Sequence, residues 1–254
     1  MADHQLHALV PGFADVADDY ERGRPDYPAA FVPAVCAAAA IPSGARVLDL
    51  AAGTGKLTRV LLAAGLDVLA VEPLPGMRER LAATLPAERI LDGSAEALPL
   101  PDAAVDAVFC GDAFHWFDGP AALAEIARVL RPGRALVLSW LVPASPGGAS
   151  WWPRVADVLE AVRPEHPAYA PGRGMDALDA DPAFSPRVSV PVPFEHVTDV
   201  AGLCSYVASF SYVGAMEPGA RETLLAQVAA AVADEPLPLR SAAVADAWVT
   251  TRRA

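Results

Sequence analysis

The stretch Arg46–Pro73, "RVLDLAAGTGKLTRVLLAAGLDVLAVEP", decides the fold class of this chain. It holds an apolar run, a turn of small residues with two glycines, a helix-like run closed by Gly65, and a second apolar run that ends at Glu72. Two buried strands joined by a helix are typical of a parallel βαβ unit. Because a small-residue turn lets the backbone come close to a ligand, the stretch predicts a nucleotide-binding edge of a sheet.

The same alternation of strand and helix continues to Leu141. Further strands are predicted in "ERILDG" (88–93), "AVDAVFCG" (104–111), "RALVLSWL" (134–141), "RVSVPVPFEHV" (187–197) and "SAAVADAWVTTRR" (241–253). Helices are predicted in "PGMRERLAATL" (75–85) and in "GPAALAEIARVLRPG" (119–133), the latter stopped by Pro132-Gly133. The Pro- and Gly-rich residues 142–186 predict a functional cap or loop beside the sheet. The pattern as a whole predicts an α/β fold with a mostly parallel, doubly wound sheet.

The charge of the chain argues against nucleic acid as a partner. The 254 residues carry a formal net charge of −12, with an isoelectric point near 4.7. Lys56 is the single lysine, and the 18 arginines are scattered along the sequence. Proteins that follow a phosphate backbone usually present a basic face, so nucleic-acid binding is disfavoured.

The apolar content predicts a soluble, cytoplasmic protein without a membrane segment. Alanine supplies much of the 54% hydrophobic fraction, and the longest apolar run, Ala29–Ile41, is too short to cross a bilayer. The first twenty residues lack the basic start and apolar centre of a signal peptide. The three cysteines are far apart, so neither a disulfide framework nor a metal site is predicted.

Three ligands compete for the glycine turn. A P-loop needs a first glycine where Leu50 stands and a hydroxyl residue where Leu57 stands, so it is discarded. A dinucleotide site needs a third glycine at the position of Thr58, although Glu72 supplies the acid that would hold a ribose. S-adenosylmethionine has a ribose but no pyrophosphate, and Asp49 offers a negative charge to its ammonium group.

Four motifs together resemble those of class I S-adenosylmethionine-dependent methyltransferases. They are "VLDLAAGTG", "VEPLPGM", "GSAEALPLPDAAVDAVFC" and "RVLRPGRALVLSW", in the order in which the family has them. "YERGRPDYP" (20–28), "AFHWFD" (113–118) and "SFSYV" (209–213) resemble the branch of trans-aconitate methyltransferase-like proteins and quinone-biosynthesis C-methyltransferases. The resemblance implies a Rossmann-like, seven-stranded sheet with an antiparallel last strand and an inserted helical cap.

The resemblance also implies how the chain is divided. It predicts a single methyltransferase domain over residues 1–254, with an N-terminal lid and helix over 10–42. Cap insertions are predicted over 143–186 and 199–235. The oligomeric state is left open.

S-adenosylmethionine is the implied cofactor and S-adenosylhomocysteine its product. The residues implied to bind it are Tyr20, Arg24, Asp49, Ala51, Gly53, Gly55, Glu72, Pro73, Met77, Ser94, Ala95, Glu96 and Gly111. Among these, Glu72 is expected to hold the ribose hydroxyls, and Arg24 to pair with the carboxylate of the ligand. The chain departs from the family at Ala51 and Ala52, often a glycine and another small residue, and at Ser94, often an aspartate.

The catalytic group is harder to assign, because displacement at a sulfonium needs alignment and exclusion of water more than a base. His115 and Asp112 are the candidates, and Asp112 stands where the branch usually has a neutral residue. His166 is a weaker candidate. Trp116, Trp151 and Trp152 are expected either to wall the substrate site or to seal the core under the cap.

The leading hypothesis is therefore methylation of a small-molecule acceptor on oxygen, carbon or nitrogen. The alternatives are a non-methylating reaction with the same cofactor, such as cyclisation or decarboxylation, and methylation of RNA. A non-catalytic binding module and a nicotinamide-dependent oxidoreductase are disfavoured by the intact motifs and by Thr58.

Overall fold

A computed structural model of the protein describes residues 17–142, 148–164 and 174–254. Its sheet has seven strands: β1 Arg46–Leu50, β2 Asp67–Val71, β3 Ile90–Leu91, β4 Val105–Gly111, β5 Leu130–Val142, β6 Val188–Thr198 and β7 Leu239–Thr251. Their order across the sheet is β3-β2-β1-β4-β5-β7-β6. Strand β7 runs antiparallel to both of its neighbours, and the other six strands are parallel to one another.

The predicted fold class is thereby confirmed, and its central strands are apolar for a physical reason. Strands with helices on both faces bury both rows of side chains, so β1, β2 and β4 are continuous apolar runs. The strand order reverses between β1 and β4, which are hydrogen-bonded neighbours. The carboxyl ends of strands beside such a reversal form the crevice where ligands bind in open α/β sheets.

Ten α-helices occur in the described residues: α1 Ala17–Gly23, α2 Phe31–Ala38, α3 Lys56–Ala63, α4 Pro75–Leu81, α5 Gly119–Val129, α6 Trp152–Glu160, α7 Met175–Ala180, α8 Val200–Ala208, α9 Ser211–Gly214 and α10 Pro218–Ala231. Helices α2, α3 and α4 contribute to the core on one face of the sheet, and α5 and α7 to the core on the other. A third apolar cluster joins α6, α8 and α10. Among the described residues, no helix has the length and apolarity that a bilayer crossing requires.

The structure differs from the local sequence pattern at helices α5, α6 and α7. Helix α5 ends at Val129, and Pro132-Gly133 lies in an irregularity of β5 where the pairing with β4 skips residues. Helices α6 and α7 lie within residues 142–186, where the Pro- and Gly-rich pattern predicts a cap or loop and gives no helix bounds. Val155 and Leu159 bury one face of α6, and Met175 and Leu178 are the buried residues of α7.

The division into lid, domain and cap stays a prediction. Helices α1 and α2 fall within residues 10–42, α6 and α7 within 143–186, and α8 to α10 within 199–235. His166 and parts of the first two segments lie outside the described residues.

Helix α1 packs directly on the backbone of α8. An added Cβ at Gly23 would lie 2.0 Å from the backbone nitrogen of Tyr206. Glycine is therefore required where the two helices meet. Two ion pairs connect the first turn of α1 to other helices. Asp18 pairs with Arg80 of α4 at 2.5 Å, and Asp19 pairs with Arg221 of α10 at 2.5 Å. The helix thus bridges α4, beside the sheet, and α10, in the third apolar cluster.

Replacement of Gly23 by alanine should destabilise the protein by about 1–3 kcal/mol, because the new methyl group meets backbone atoms that cannot turn away. Gly219→Ala is the matched control, since nothing lies within 4 Å of the position of its added Cβ. The control should change stability little or raise it by up to about 1 kcal/mol, as alanine favours helix. Urea unfolding of both variants tests this, and equal stability of the two would contradict the packing.

Candidate active site

A cavity of about 980 Å³ lies at the carboxyl ends of β1, β2 and β4. Of the thirteen residues predicted to bind the cofactor, those that line it are Tyr20, Arg24, Ala51, Gly53, Glu72, Pro73, Met77, Ser94, Ala95, Glu96 and Gly111. Both catalytic candidates, Asp112 and His115, line it as well. Asp49 and Gly55 do not. Their roles stay predictions, but the fold gathers nearly all of the predicted residues around one space.

Glu72 joins the ends of β1 and β2. One carboxylate oxygen accepts a hydrogen bond from the Gly53 amide and the other from the Leu74 amide, both at 2.9 Å. The side chain is buried, and burial raises the pKa of its carboxyl, although the two amide bonds and nearby Arg78 act to lower it. Each carboxylate oxygen can accept a second hydrogen bond, so Glu72 retains acceptor capacity toward the cavity.

The turn after β1 bends the backbone through left-handed conformations. Ala51 has φ +56° and Gly53 has φ +58°, and both line the cavity. Alanine adopts this conformation at a cost of about 1–2 kcal/mol, which explains why the family often has glycine at the position of Ala51. Gly55, with φ +92°, precedes α3, and an added Cβ there would meet Leu81 at 2.8 Å. Gly55 therefore serves the packing of α3 against α4.

Asp49 lies beneath this turn and is fully buried. Its carboxylate accepts a hydrogen bond of 2.5 Å from the Thr58 hydroxyl. Burial raises the pKa of Asp49 to about 7, while the bond from Thr58 acts in the opposite direction. Thr58, which replaces the third glycine of a dinucleotide fingerprint, is thus the hydrogen-bond partner of the acid that precedes the turn.

Ser94 has a side-chain oxygen that is buried and without a partner. Its Oγ makes no hydrogen bond in the described structure, although the residue lines the cavity. A buried hydroxyl without a partner is costly, and such groups call for an explanation such as a ligand. The neighbouring Glu96 is engaged, since it accepts a hydrogen bond of 3.0 Å from the Asp118 amide.

Arg24 lies among aromatic rings at the N-terminal side of the cavity. Its guanidinium carbon is 5.3 Å from the ring centres of Tyr20, Tyr206 and Phe210, and its Nε donates to the Ser209 hydroxyl at 2.9 Å. Burial raises the pKa of Tyr20 to about 12, with Arg24 opposing that rise, so this tyrosine stays a neutral donor. Rings and serine together hold the guanidinium in place.

Asp112 and His115 follow β4 on the far side of the crevice. Asp112 adopts φ +52° and accepts a hydrogen bond of 3.3 Å from the Leu141 amide. The indole nitrogen of Trp140 donates to His115 Nδ1 at 3.3 Å. Because an indole N–H can only donate, Nδ1 is the acceptor, and the neutral imidazole carries its proton on Nε2. The sequence gives no signal for this partner, which comes from the adjacent strand.

The structure separates the three candidate tryptophans. Trp151 is 4% exposed and belongs to the apolar cluster of α6, α8 and α10. Trp152 packs against that cluster and also lines the cavity, as Trp116 does. Further lining residues lie on α5, on and just after α6, and on α9, among them Ala121, Ala156, Leu159, Glu160, Arg163, Ser211 and Tyr212. Of these, only Ser211 and Tyr212 fall in a quoted motif, "SFSYV".

Stability should depend on pH through Asp49. Because burial raises the pKa of Asp49 in the folded protein to about 7, the folded protein keeps a proton that the unfolded chain has lost. The free energy of unfolding should therefore fall by a few kcal/mol as pH rises from about 4 to about 7. In Asp49→Asn the contribution of Asp49 should vanish, while that of Glu72, whose pKa burial also raises, remains. Urea unfolding across this range measures it, and identical slopes in both proteins would contradict the assignment.

The comparisons with known proteins agree on one family. The sequence model of the methyltransferase domain matches residues 48–138. A methyltransferase-like protein of Schizosaccharomyces pombe is 31% identical over 215 residues, which cover 84% of this chain and 82% of the relative. An uncharacterized methyltransferase of Mycobacterium bovis is 51% identical over 128 residues, and this chain spans about half the length of that relative.

Solved structures share the fold across most of both chains. A candidate type II methyltransferase from Anaeromyxobacter dehalogenans has a TM-score of 0.63 and 25% identity, covering 91% of this chain and 97% of the other. The [4+2]-cyclase SpnF has a TM-score of 0.55 and 18% identity, so that likeness concerns the fold alone. With the seven-stranded sheet and the yeast relative matched along most of its length, the chain belongs to the class I S-adenosylmethionine-dependent methyltransferases.

Proposed function

We propose that the chain transfers a methyl group from S-adenosylmethionine to a small molecule enclosed in the cavity. One observation carries the proposal: a single space holds eleven of the thirteen cofactor candidates together with Asp112 and His115. Its volume of about 980 Å³ lies at the upper end of the usual range of ligand pockets, about 300–1,000 Å³. Such a volume suits two ligands side by side.

The residues present fit the cofactor. The carboxylate of Glu72 suits a ribose diol, because its two oxygens are already oriented by backbone amides and keep acceptor capacity. The orphaned hydroxyl of Ser94 suits the polar edge of an adenine base. The guanidinium of Arg24, held by Ser209 and three rings, suits the carboxylate of the amino-acid end.

When bound, S-adenosylmethionine supplies a methyl group on a positively charged sulfur. The protein then has to align the acceptor and exclude water. His115 Nδ1 is occupied by the Trp140 indole, so Nε2 is a donor that orients a polar group of the acceptor. Asp112, a carboxylate on the same wall, is the group that accepts a proton from an acceptor that must lose one.

A small molecule is favoured over RNA as the acceptor by the charge of the cavity. Among the described lining residues are five carboxylates, Glu72, Glu96, Asp112, Asp118 and Glu160, against two guanidinium groups, Arg24 and Arg163. A polyphosphate chain would be repelled by this excess of negative charge.

A non-methylating reaction with the same cofactor is the second candidate, since a [4+2]-cyclase has the same fold. The two functions differ in their product. Methyl transfer releases one S-adenosylhomocysteine for each acceptor converted, whereas a cyclase leaves the cofactor unchanged.

Calorimetric titration should show binding of S-adenosylmethionine and S-adenosylhomocysteine but not of NADH. Glu72→Gln should weaken that binding at least about ten-fold, because a charged hydrogen bond to the ribose is lost. Glu195→Gln is the matched control, since Glu195 is exposed on β6 and pairs with Arg240. Binding of NADH alone, or the absence of binding to all three ligands, would overturn the proposal.

Ser94→Ala should move stability and affinity in opposite directions. Removal of an orphaned buried hydroxyl should raise the unfolding free energy of the ligand-free protein by up to about 1 kcal/mol. The same change should weaken S-adenosylmethionine binding about three- to ten-fold, the size of one neutral hydrogen bond. Ser139→Ala is the control, because Ser139 shares a hydrogen bond of 3.1 Å with Tyr27 and its removal should destabilise.

Thermal unfolding with and without ligand measures both quantities for Ser94→Ala. A loss of stability in the ligand-free variant would show that Ser94 serves the fold and not the ligand.

A further inference from the structure

Besides the cofactor candidates, five aromatic side chains line the cavity. Trp116, Phe117, Trp152, Phe210 and Tyr212 all line it, and each is half-buried. Their neighbours Phe114, Trp140 and Trp151 are only 2–4% exposed and pack in the apolar cores. The chain therefore divides its aromatic residues in this region between core packing and the cavity wall.

These rings come from separate elements and are held in fixed positions. Trp116 and Phe117 follow β4, Trp152 begins α6, and Phe210 and Tyr212 flank the start of α9. Tyr206 connects the rings of α6 and α9. Its ring centre lies 6.4 Å from that of Trp152 and 4.9 Å from that of Phe210. Because neighbouring rings support one another, the wall is preorganised for a flat apolar group.

The charge of the described lining residues disfavours an acidic acceptor. Asp112, Asp118 and Glu160 are carboxylates of the lining, and Arg163 pairs with Glu160 at 2.7 Å. The other guanidinium, Arg24, lies against Tyr20 and is assigned to the carboxylate of the cofactor in the proposed function. An acceptor that carries carboxylates would meet an excess of like charge.

We infer that the acceptor is an aromatic compound bearing a hydroxyl or amine, and not a carboxylic acid. The inference rests on the proposed methyl transfer and names its substrate class. The aromatic ring of the acceptor packs against the wall residues, Trp152 on α6 and Trp116 after β4. Its nucleophile points toward Asp112. A lone pair of its oxygen or nitrogen forms the new bond to the methyl carbon. The sulfur–carbon bond breaks with its electron pair left on sulfur, and the proton passes to Asp112.

Four probes test the acceptor class on the full chain saturated with S-adenosylhomocysteine. They are 2-naphthol and 2-naphthylamine on one side, and the acids tricarballylate and suberate on the other. Calorimetry should show the aromatic probes binding at least about ten-fold more tightly than the acids. With S-adenosylmethionine in place of its product, mass spectrometry should show a methylated aromatic probe and an equal amount of S-adenosylhomocysteine.

Three variants test the wall itself. Trp152→Ala should lose at least about ten-fold in affinity for the aromatic probes, and Trp152→Phe should retain most of it because a ring remains. Trp248→Ala is the matched control, because Trp248 stacks with Arg187 at 4.2 Å on β7 and does not line this cavity. Undiminished binding of S-adenosylhomocysteine shows that each variant is folded.

Tighter binding of the acids, no binding of the aromatic probes to the loaded protein, or aromatic binding unchanged in Trp152→Ala would each overturn the inference. Failure of the proposed function looks different. In that case S-adenosylhomocysteine itself does not bind, and the probe titrations are not reached.

Discussion

The hydrogen bonds from the Gly53 and Leu74 amides to Glu72 are the interaction on which the site depends. They tie the turn after β1 to the end of β2, so the position of one loop sets the other. Burial of a carboxylate is costly unless it is hydrogen-bonded, and these two amides make the burial tolerable. The turn that results carries Ala51 in a left-handed conformation and opens the crevice between β1 and β4.

Helix α1 closes this arrangement from the other side. Glu21 accepts hydrogen bonds from Thr54 in the turn and from Arg59 on α3, at 2.6 and 2.7 Å. Ala17 packs on Leu74 and Met77, which come just after Glu72. The same helix meets α8 at Gly23, so one short element contacts both the glycine turn and the helix that precedes α9.

The lining of the cavity combines two kinds of chemistry. Beside β1 and β2 it consists of backbone turns and a few oriented polar groups. Aromatic rings after β4, on α6 and at the start of α9 also line it, and among the described lining residues five carboxylates outnumber two guanidinium groups.

Local pattern was enough to predict the sheet and the cofactor end, because a buried parallel strand is an apolar run and a tight turn needs small residues. Glu72, Gly53 and Ser94 lie in such motifs. Helices α6 and α7 fall within residues 143–186, for which the resemblance implies a helical cap, but the prolines and glycines around them hide their bounds from the local pattern. The sequence order of Trp151 and Trp152 does not tell which one faces the cavity, since that depends on how α6 packs against α8 and α10. The bond from Trp140 to His115 likewise joins residues 25 apart, and only the pairing of β4 with β5 brings them together.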